Sequence, residues 1–126
     1  MTLPPGPLQI LVAGPLRGGT GDDPGLIAAN VARMEVAALE LFEMGHLPIV
    51  GEWLSFPLME RAGSTAVGDE VYDRIQHPLG ELIVSKCDAV LRLPGPSTGS
   101  DLMVATAEAA GIPVRHAVAD FTPVPK

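Results

Sequence analysis

The sequence predicts an α/β domain built on a doubly wound parallel sheet of four or five strands. Short apolar segments alternate along the chain with longer amphipathic ones, and loops rich in Gly and Pro separate them. Strands buried on both faces have continuous apolar sequences, and helical crossovers between them make the sheet parallel. The chain shows no internal repeat or long linker. Its 126 residues therefore predict a single domain, with a core at 8–117 and a tail at 118–126.

The first strand is predicted at Leu8–Ala13, an apolar run that ends at Gly14. After a loop, Asp22 or Asp23 is expected to cap a helix that has Pro24 in its first turn. Apolar side chains recur through this segment at helical spacing, and Gly45 is the stop signal, so the helix should end near Met44.

The rest of the chain continues the alternation of strands and helices. Strands are predicted at 47–50, 89–93 and 113–117. A short helix at 53–62 should be interrupted or entered at Pro57, and a helix at 70–86 should break or kink at Pro78. The last helix should run to about Ala110, with Ser100 or Asp101 as its cap.

Composition excludes several classes of function. The net charge of −7 leaves no basic surface for a nucleic acid polymer. Cys87 is the single cysteine, so no disulfide framework or multi-cysteine metal site is expected, and the sequence suggests no cofactor. Residues 1–9 lack Lys and Arg and do not resemble a signal peptide, and no apolar run approaches 18 residues. We therefore expect a cytoplasmic protein without a membrane partner.

The hydrophobic content is high for so short a chain. Hydrophobic residues make up 47% of the sequence, although only 4% of the residues are aromatic. Either the core is densely packed with aliphatic side chains or one face is buried against another subunit. We expect a homo-oligomer, a dimer or larger.

Two Gly/Pro-rich loops, at 14–19 and 94–100, each follow a predicted strand. In a doubly wound sheet, ligands bind beyond the carboxyl ends of the strands, near the point where the strand order reverses. Glycine lets the backbone approach a ligand, and the start of the helix after the second loop offers free N–H groups. Neither loop has the pattern of a P-loop or a dinucleotide site. The alternative is that both are ordinary turns.

Two side chains near these loops are candidate ligand contacts. Arg17 could grip a phosphate with two hydrogen bonds, or it could pair with Asp22 or Asp23 on the surface. Trp53 follows the second strand at the same sheet edge and could stack on a base, or it could serve packing or an interface. The predicted binding residues are Gly14, Pro15, Leu16, Arg17, Gly18, Trp53, Gly95, Ser97, Gly99 and Ser100.

Three segments together resemble a known family. They are Val12–Gly18 (VAGPLRG), Cys87–Gly95 (CDAVLRLPG), and Ser97-x-Gly99 followed by Ala107, Gly111, Pro113 and Val114. Their order and spacing resemble the nucleoside 2-deoxyribosyltransferase-like superfamily, which includes nucleoside 5′-monophosphate N-glycosidases. The resemblance covers about residues 8–115. It implies a flavodoxin-like or Rossmann-like sheet, a nucleoside or nucleotide ligand, and cleavage of the bond between base and sugar.

The chain departs from that family at two carboxylates. The family's nucleophilic glutamate lies six residues after the motif serine, which is Met103 here, and an expected aspartate falls at Gly80. Asp101 could replace the glutamate, or it could only complement the helix dipole. Asp73 and Glu81 are further substitutes for the missing aspartate.

Three interpretations stay open. The chain could be an N-glycosidase or deoxyribosyltransferase that uses Asp101 or another carboxylate as its nucleophile. It could also be a binding module that has lost its nucleophile. The third is a phosphoribohydrolase. That interpretation fits the loop less well, because no glutamate follows Gly99 as its PGG-x-GT-x-x-E pattern requires.

Overall fold

A computed structural model describes all of residues 1–126. The chain forms four strands and four α-helices, which alternate except that two helices follow each other between the second and third strands. In order these are β1 (Gln9–Ala13), α1 (Pro24–Glu43), β2 (Leu47–Val50), α2 (Glu52–Arg61), α3 (Glu70–Ser85), β3 (Ala89–Arg92), α4 (Thr98–Ala109) and β4 (Val114–Arg115), followed by a 3-10 helix at Val118–Asp120.

The four strands form one parallel sheet in the order β2-β1-β3-β4, so the predicted fold class is confirmed. The chain passes from β1 outward to β2 and then returns across β1 to β3. The strand order therefore reverses between β1 and β3, which are paired with Val12 opposite Leu91. This reversal places the loops after β1 and β3 next to each other at one edge of the sheet.

A hydrophobic core lies on each face of the sheet, because alternate strand residues point to opposite sides. Ile10 and Val12 face one core, which is filled mainly by α1 side chains such as Met34 and Leu41. Leu11 faces the other core, to which α3 and α4 contribute. Helices on both faces complete the doubly wound arrangement.

Helix boundaries confirm one predicted cap and correct another. The Asp23 side chain accepts a hydrogen bond from the Leu26 N–H and caps α1. The cap of α4 is Ser97, whose hydroxyl accepts the Ser100 N–H, so the prediction of Ser100 or Asp101 was wrong. The helix begins three residues earlier than expected because the Ser97 hydroxyl already satisfies a free N–H group.

Neither Pro57 nor Pro78 breaks its helix, while a kink at Pro78 stays a prediction. α2 continues through Pro57 and α3 continues through Pro78. A proline removes one backbone hydrogen bond, but α3 packs against both α2 and α4. Tertiary packing therefore keeps these helices continuous where local propensity favours a break.

The predicted C-terminal tail packs against the domain. The Phe121 side chain is buried in the α1 core, and the Val124 N–H donates to the Met44 carbonyl at 2.7 Å. Buried His46 accepts the Leu8 N–H at Nδ1, so its Nε2–H donates to the Thr122 carbonyl at 2.9 Å. His46 thus links the segment before β1 to the C-terminal segment. None of the helices combines the length and apolar character needed to cross a membrane.

Candidate functional site

A cavity of about 490 Å³ opens at the carboxyl ends of β1, β2 and β3. Its wall is formed by the loops after these strands and by parts of α2, α3 and α4. The volume lies within the range of small-molecule sites, which is roughly 300–1,000 Å³. The cavity therefore lies where the strand order predicted a ligand site.

The two Gly/Pro-rich loops contact each other at the cavity mouth. A Cβ atom at Gly18 would overlap the carbonyl oxygen of Pro96. Gly95 has a φ of +117°, and a Cβ there would lie 2.8 Å from Cγ of Pro15. Glycine is required at both positions because the loops meet backbone to backbone and backbone to ring.

The start of α4 presents unpaired backbone donors to the cavity. Ser97, Thr98, Gly99 and Ser100 all line it. The Ser97 hydroxyl caps the helix through Ser100, whereas the N–H groups of Thr98 and Gly99 lie in the first turn and have no intrahelical acceptor. These donors, together with the helix dipole, suit an anionic or hydroxylated ligand group.

Arg17 lies at the cavity mouth and is paired with Asp22. Its Nε and Nη2 each donate to a carboxylate oxygen of Asp22 at 2.8 Å, and its guanidinium lies 5.4 Å from the ring centre of Tyr72. The ion pair raises the pKa of Arg17 and lowers the pKa of the Asp22 carboxyl. Both side chains are nearly half exposed, at 40% and 47%. The predicted pairing of Arg17 with Asp22 is therefore confirmed. Arg17 also lines the cavity, and its contact with a phosphate stays a prediction.

A buried carboxyl group that the sequence analysis missed also lines the cavity. Glu52 is the first residue of α2, and its Oε2 accepts a hydrogen bond from Nε2 of Gln76 at 2.6 Å. Burial raises the pKa of Glu52, and this effect outweighs the opposing one of the Gln76 hydrogen bond. Its position directly after β2, at the edge shared by both loops, was the signal that could have identified it.

Polar and titratable side chains surround Glu52. Tyr72 on α3 is buried, and that burial raises its pKa to about 12. The Ser55 hydroxyl and Oε1 of Gln76 are buried without hydrogen-bond partners. Asp73 and His77 line the cavity from α3. Since buried polar groups without partners are rare, this cluster is typical of a functional site rather than of a packed core.

Most of the predicted binding residues meet at the cavity. Those that line it are Gly14, Leu16, Arg17, Gly18, Ser97, Gly99 and Ser100. Pro15 and Gly95 do not line it, although they hold the two loops together. Trp53 lies outside the lining, is 44% exposed, and donates from Nε1 to Glu35 at 2.8 Å.

The predicted catalytic carboxylate lies apart from this group. Asp101 is absent from the cavity lining, its side chain is 72% exposed, and it forms an ion pair of 3.0 Å with Arg92. It occupies the outward side of the first turn of α4, whereas Ser100 and Met103 face inward. Glu81 also lies outside the lining, and Asp73 lies within it.

The two positions where family carboxylates were expected are in contact with each other. A Cβ at Gly80 would lie 2.7 Å from the Met103 sulfur, and both residues line the cavity. The thioether of Met103 occupies the space beside Gly80. An apolar contact is therefore found at the two positions where the resemblance implies carboxylate side chains. No group of three or more His, Cys, Asp or Glu side chains is placed to hold a metal ion.

Comparison with protein-family models, with curated proteins and with solved structures gives no match for this chain.

Proposed function

We propose that the cavity binds a nucleoside or a nucleoside monophosphate. The observation that carries this proposal is the direct contact between the loops after β1 and β3, which encloses a cavity of about 490 Å³ at the reversal of strand order. Backbone donors at Thr98 and Gly99 suit a phosphate or a sugar hydroxyl. The resemblance of the loop sequences to nucleoside 2-deoxyribosyltransferase-like proteins supports this class of ligand.

Cleavage of the bond between base and sugar is a second candidate function, favoured by Glu52. This carboxyl group is buried in the cavity wall and has a raised pKa, which suits a proton donor better than a nucleophile. In the proposed step, Glu52 gives its proton to the base as the C1′–N bond breaks. Water then adds to C1′ and returns a proton to Glu52. Exposed Asp101 is less suited to this role.

A ligand panel separates binding from catalysis. The protein is incubated with ribonucleosides, deoxynucleosides and their 5′-monophosphates, binding is measured by calorimetry, and free base is measured by chromatography. Base release that is lost in Glu52→Gln and retained in Asp101→Asn supports catalysis by Glu52. Binding without base release supports a binding module. If no member of the panel binds, the proposed function is wrong.

We also infer that the chain forms a homo-oligomer through the outer faces of α1 and α2. A hydrogen bond from Nε1 of Trp53 to Glu35 joins the exposed surfaces of these two helices. Their exposed apolar side chains include Val36, Leu39, Phe42, Trp53, Leu54 and Leu58. Light scattering should give at least twice the chain mass of 13.1 kDa, and Leu39→Ser with Phe42→Ser should reduce it to the monomer. A monomeric wild type would contradict this inference.

The cytoplasmic location stays a prediction.

A further inference from the structure

The cavity contains one permanently charged cation among several carboxyl groups. Arg17 is the only Lys or Arg in its lining, which also includes Asp22, Glu52 and Asp73. An anionic ligand group therefore depends on Arg17 for its ionic contact, and it also meets repulsion from neighbouring carboxylates. The ion pair that Arg17 already forms with Asp22 therefore bears on which ligands the cavity binds.

Asp22 occupies one of the two edges through which the Arg17 guanidinium could bind a phosphate group at two points. The carboxylate takes both Nε and Nη2 in a two-point contact, which is the geometry in which guanidinium also grips phosphate. The other surroundings of Arg17 limit its movement. Its guanidinium lies by the Tyr72 ring, and a Cβ at Gly68 would lie 2.6 Å from Nη2.

We propose that Asp22 sets the ligand specificity of the cavity by acting as an internal substitute for a ligand phosphate on Arg17. This inference rests on the proposed function and adds that 5′-phosphorylated and unphosphorylated ligands compete differently with Asp22. A nucleoside leaves the ion pair intact. A nucleoside monophosphate must displace the Asp22 carboxylate or bind beside its negative charge.

The backbone at Asp22 allows this charge to be removed cleanly. Asp22 has a φ of +60°, the only positive φ outside glycine, and its N–H donates to the Thr20 hydroxyl at 3.1 Å. Asparagine adopts this left-handed conformation more readily than other side chains of L-residues. Asp22→Asn therefore removes the charge while it preserves the backbone and most of the shape. Asp22→Gly, which tolerates the same φ, is the second variant.

The test compares each nucleoside with its own 5′-monophosphate by calorimetry, using adenosine, guanosine and their monophosphates. Relative to wild type, Asp22→Asn should raise the ratio of monophosphate to nucleoside affinity roughly two- to fivefold, the effect expected when an exposed ion pair no longer competes. Arg17→Gln should lower the same ratio below that of wild type, because the cation itself is lost.

Three results would overturn the inference. An unchanged ratio in both Asp22→Asn and Asp22→Gly, with both ligands bound, would show that Asp22 does not influence ligand choice and would leave the proposed function intact. A lower affinity for the monophosphate in these variants would show that Asp22 positions Arg17 for the ligand. Absence of binding by every ligand to wild type and variants would reject the proposed function together with this inference.

Discussion

Substitution of Gly18 by alanine tests whether the two loops meet as the structure shows. The added Cβ would overlap the Pro96 carbonyl oxygen, at a separation below the 3.0 Å limit that real Cβ atoms keep. Because the obstacle is backbone rather than a flexible side chain, the loops must move apart. Gly51→Ala is the matched control, since it lines the same cavity and its Cβ would lie 4.0 Å from the nearest atom, Cδ1 of Ile83.

The expected size of the effect follows from the clash. Inserting a methyl group into a closely packed contact costs about 1–3 kcal/mol. Unfolding entropy of about 2.1 cal/mol/K per residue gives roughly 4 °C of Tm for each kcal/mol in a chain of 126 residues. Gly18→Ala should therefore lower Tm by about 4–11 °C. Gly51 has a φ of −56°, which alanine adopts freely, so the control should change Tm by less than about 2 °C.

Differential scanning calorimetry measures both variants, and calorimetric titration measures their ligand affinity. Gly18→Ala should also weaken ligand binding, since the cavity mouth must open. If Gly18→Ala and Gly51→Ala have the same Tm and the same affinity as wild type, then the loops do not touch and the cavity is not closed in this way.

Three further predictions concern individual side chains. Glu52 has a raised pKa in the fold, so its contribution to stability is present below its ordinary pKa of 4.5 and is lost as pH rises through the raised value. Glu52→Gln should therefore be more stable than wild type at pH 7 and equal to it below about pH 4 in chemical denaturation. Asp69 accepts hydrogen bonds from the N–H groups of Thr65 and Tyr72, which lower its pKa to about 2. Asp69→Ala should therefore lower Tm at pH 7. The difference in Tm between this variant and wild type should shrink as pH falls from 4 towards 2. Ser97→Ala should destabilise the protein by about 1 kcal/mol through loss of the α4 cap, and Ser97→Asp should not; equal stability of the two variants would reject the capping role.

The fold could be predicted because its signals are local in the sequence. The strand at β1 is a continuous apolar run, and Asp23 with Pro24 marks the start of α1. Proline positions misled the prediction, because Pro78 lies in a helix that neighbouring helices hold in place. The burial of Phe121 in the C-terminal segment was not predicted, since it depends on residues far away in the chain.

The candidate site could be predicted only in part. The glycines of both loops identified its position, because glycine is needed where backbones approach closely. Glu52 could have been noticed from its position directly after the second strand, but its contact with Gln76, 24 residues further along the chain, could not be predicted from the sequence. Asp101 was predicted as the catalytic carboxylate because the sequence shows that it lies at the start of a helix. The sequence does not show the direction of its side chain, which points to Arg92.

An NMR titration of the ¹⁵N-labelled protein with nucleosides and nucleoside 5′-monophosphates tests the central claim most directly. Binding in the cavity should shift the backbone amide signals of residues 14, 16–18, 51–52 and 97–100, where the loops after the first three strands converge. Signals at the opposite end of the sheet, such as those of His46 and Phe121, should stay unchanged. Shifts confined to that opposite end, or no saturable shifts with any ligand, would contradict a nucleotide site at this edge of the sheet.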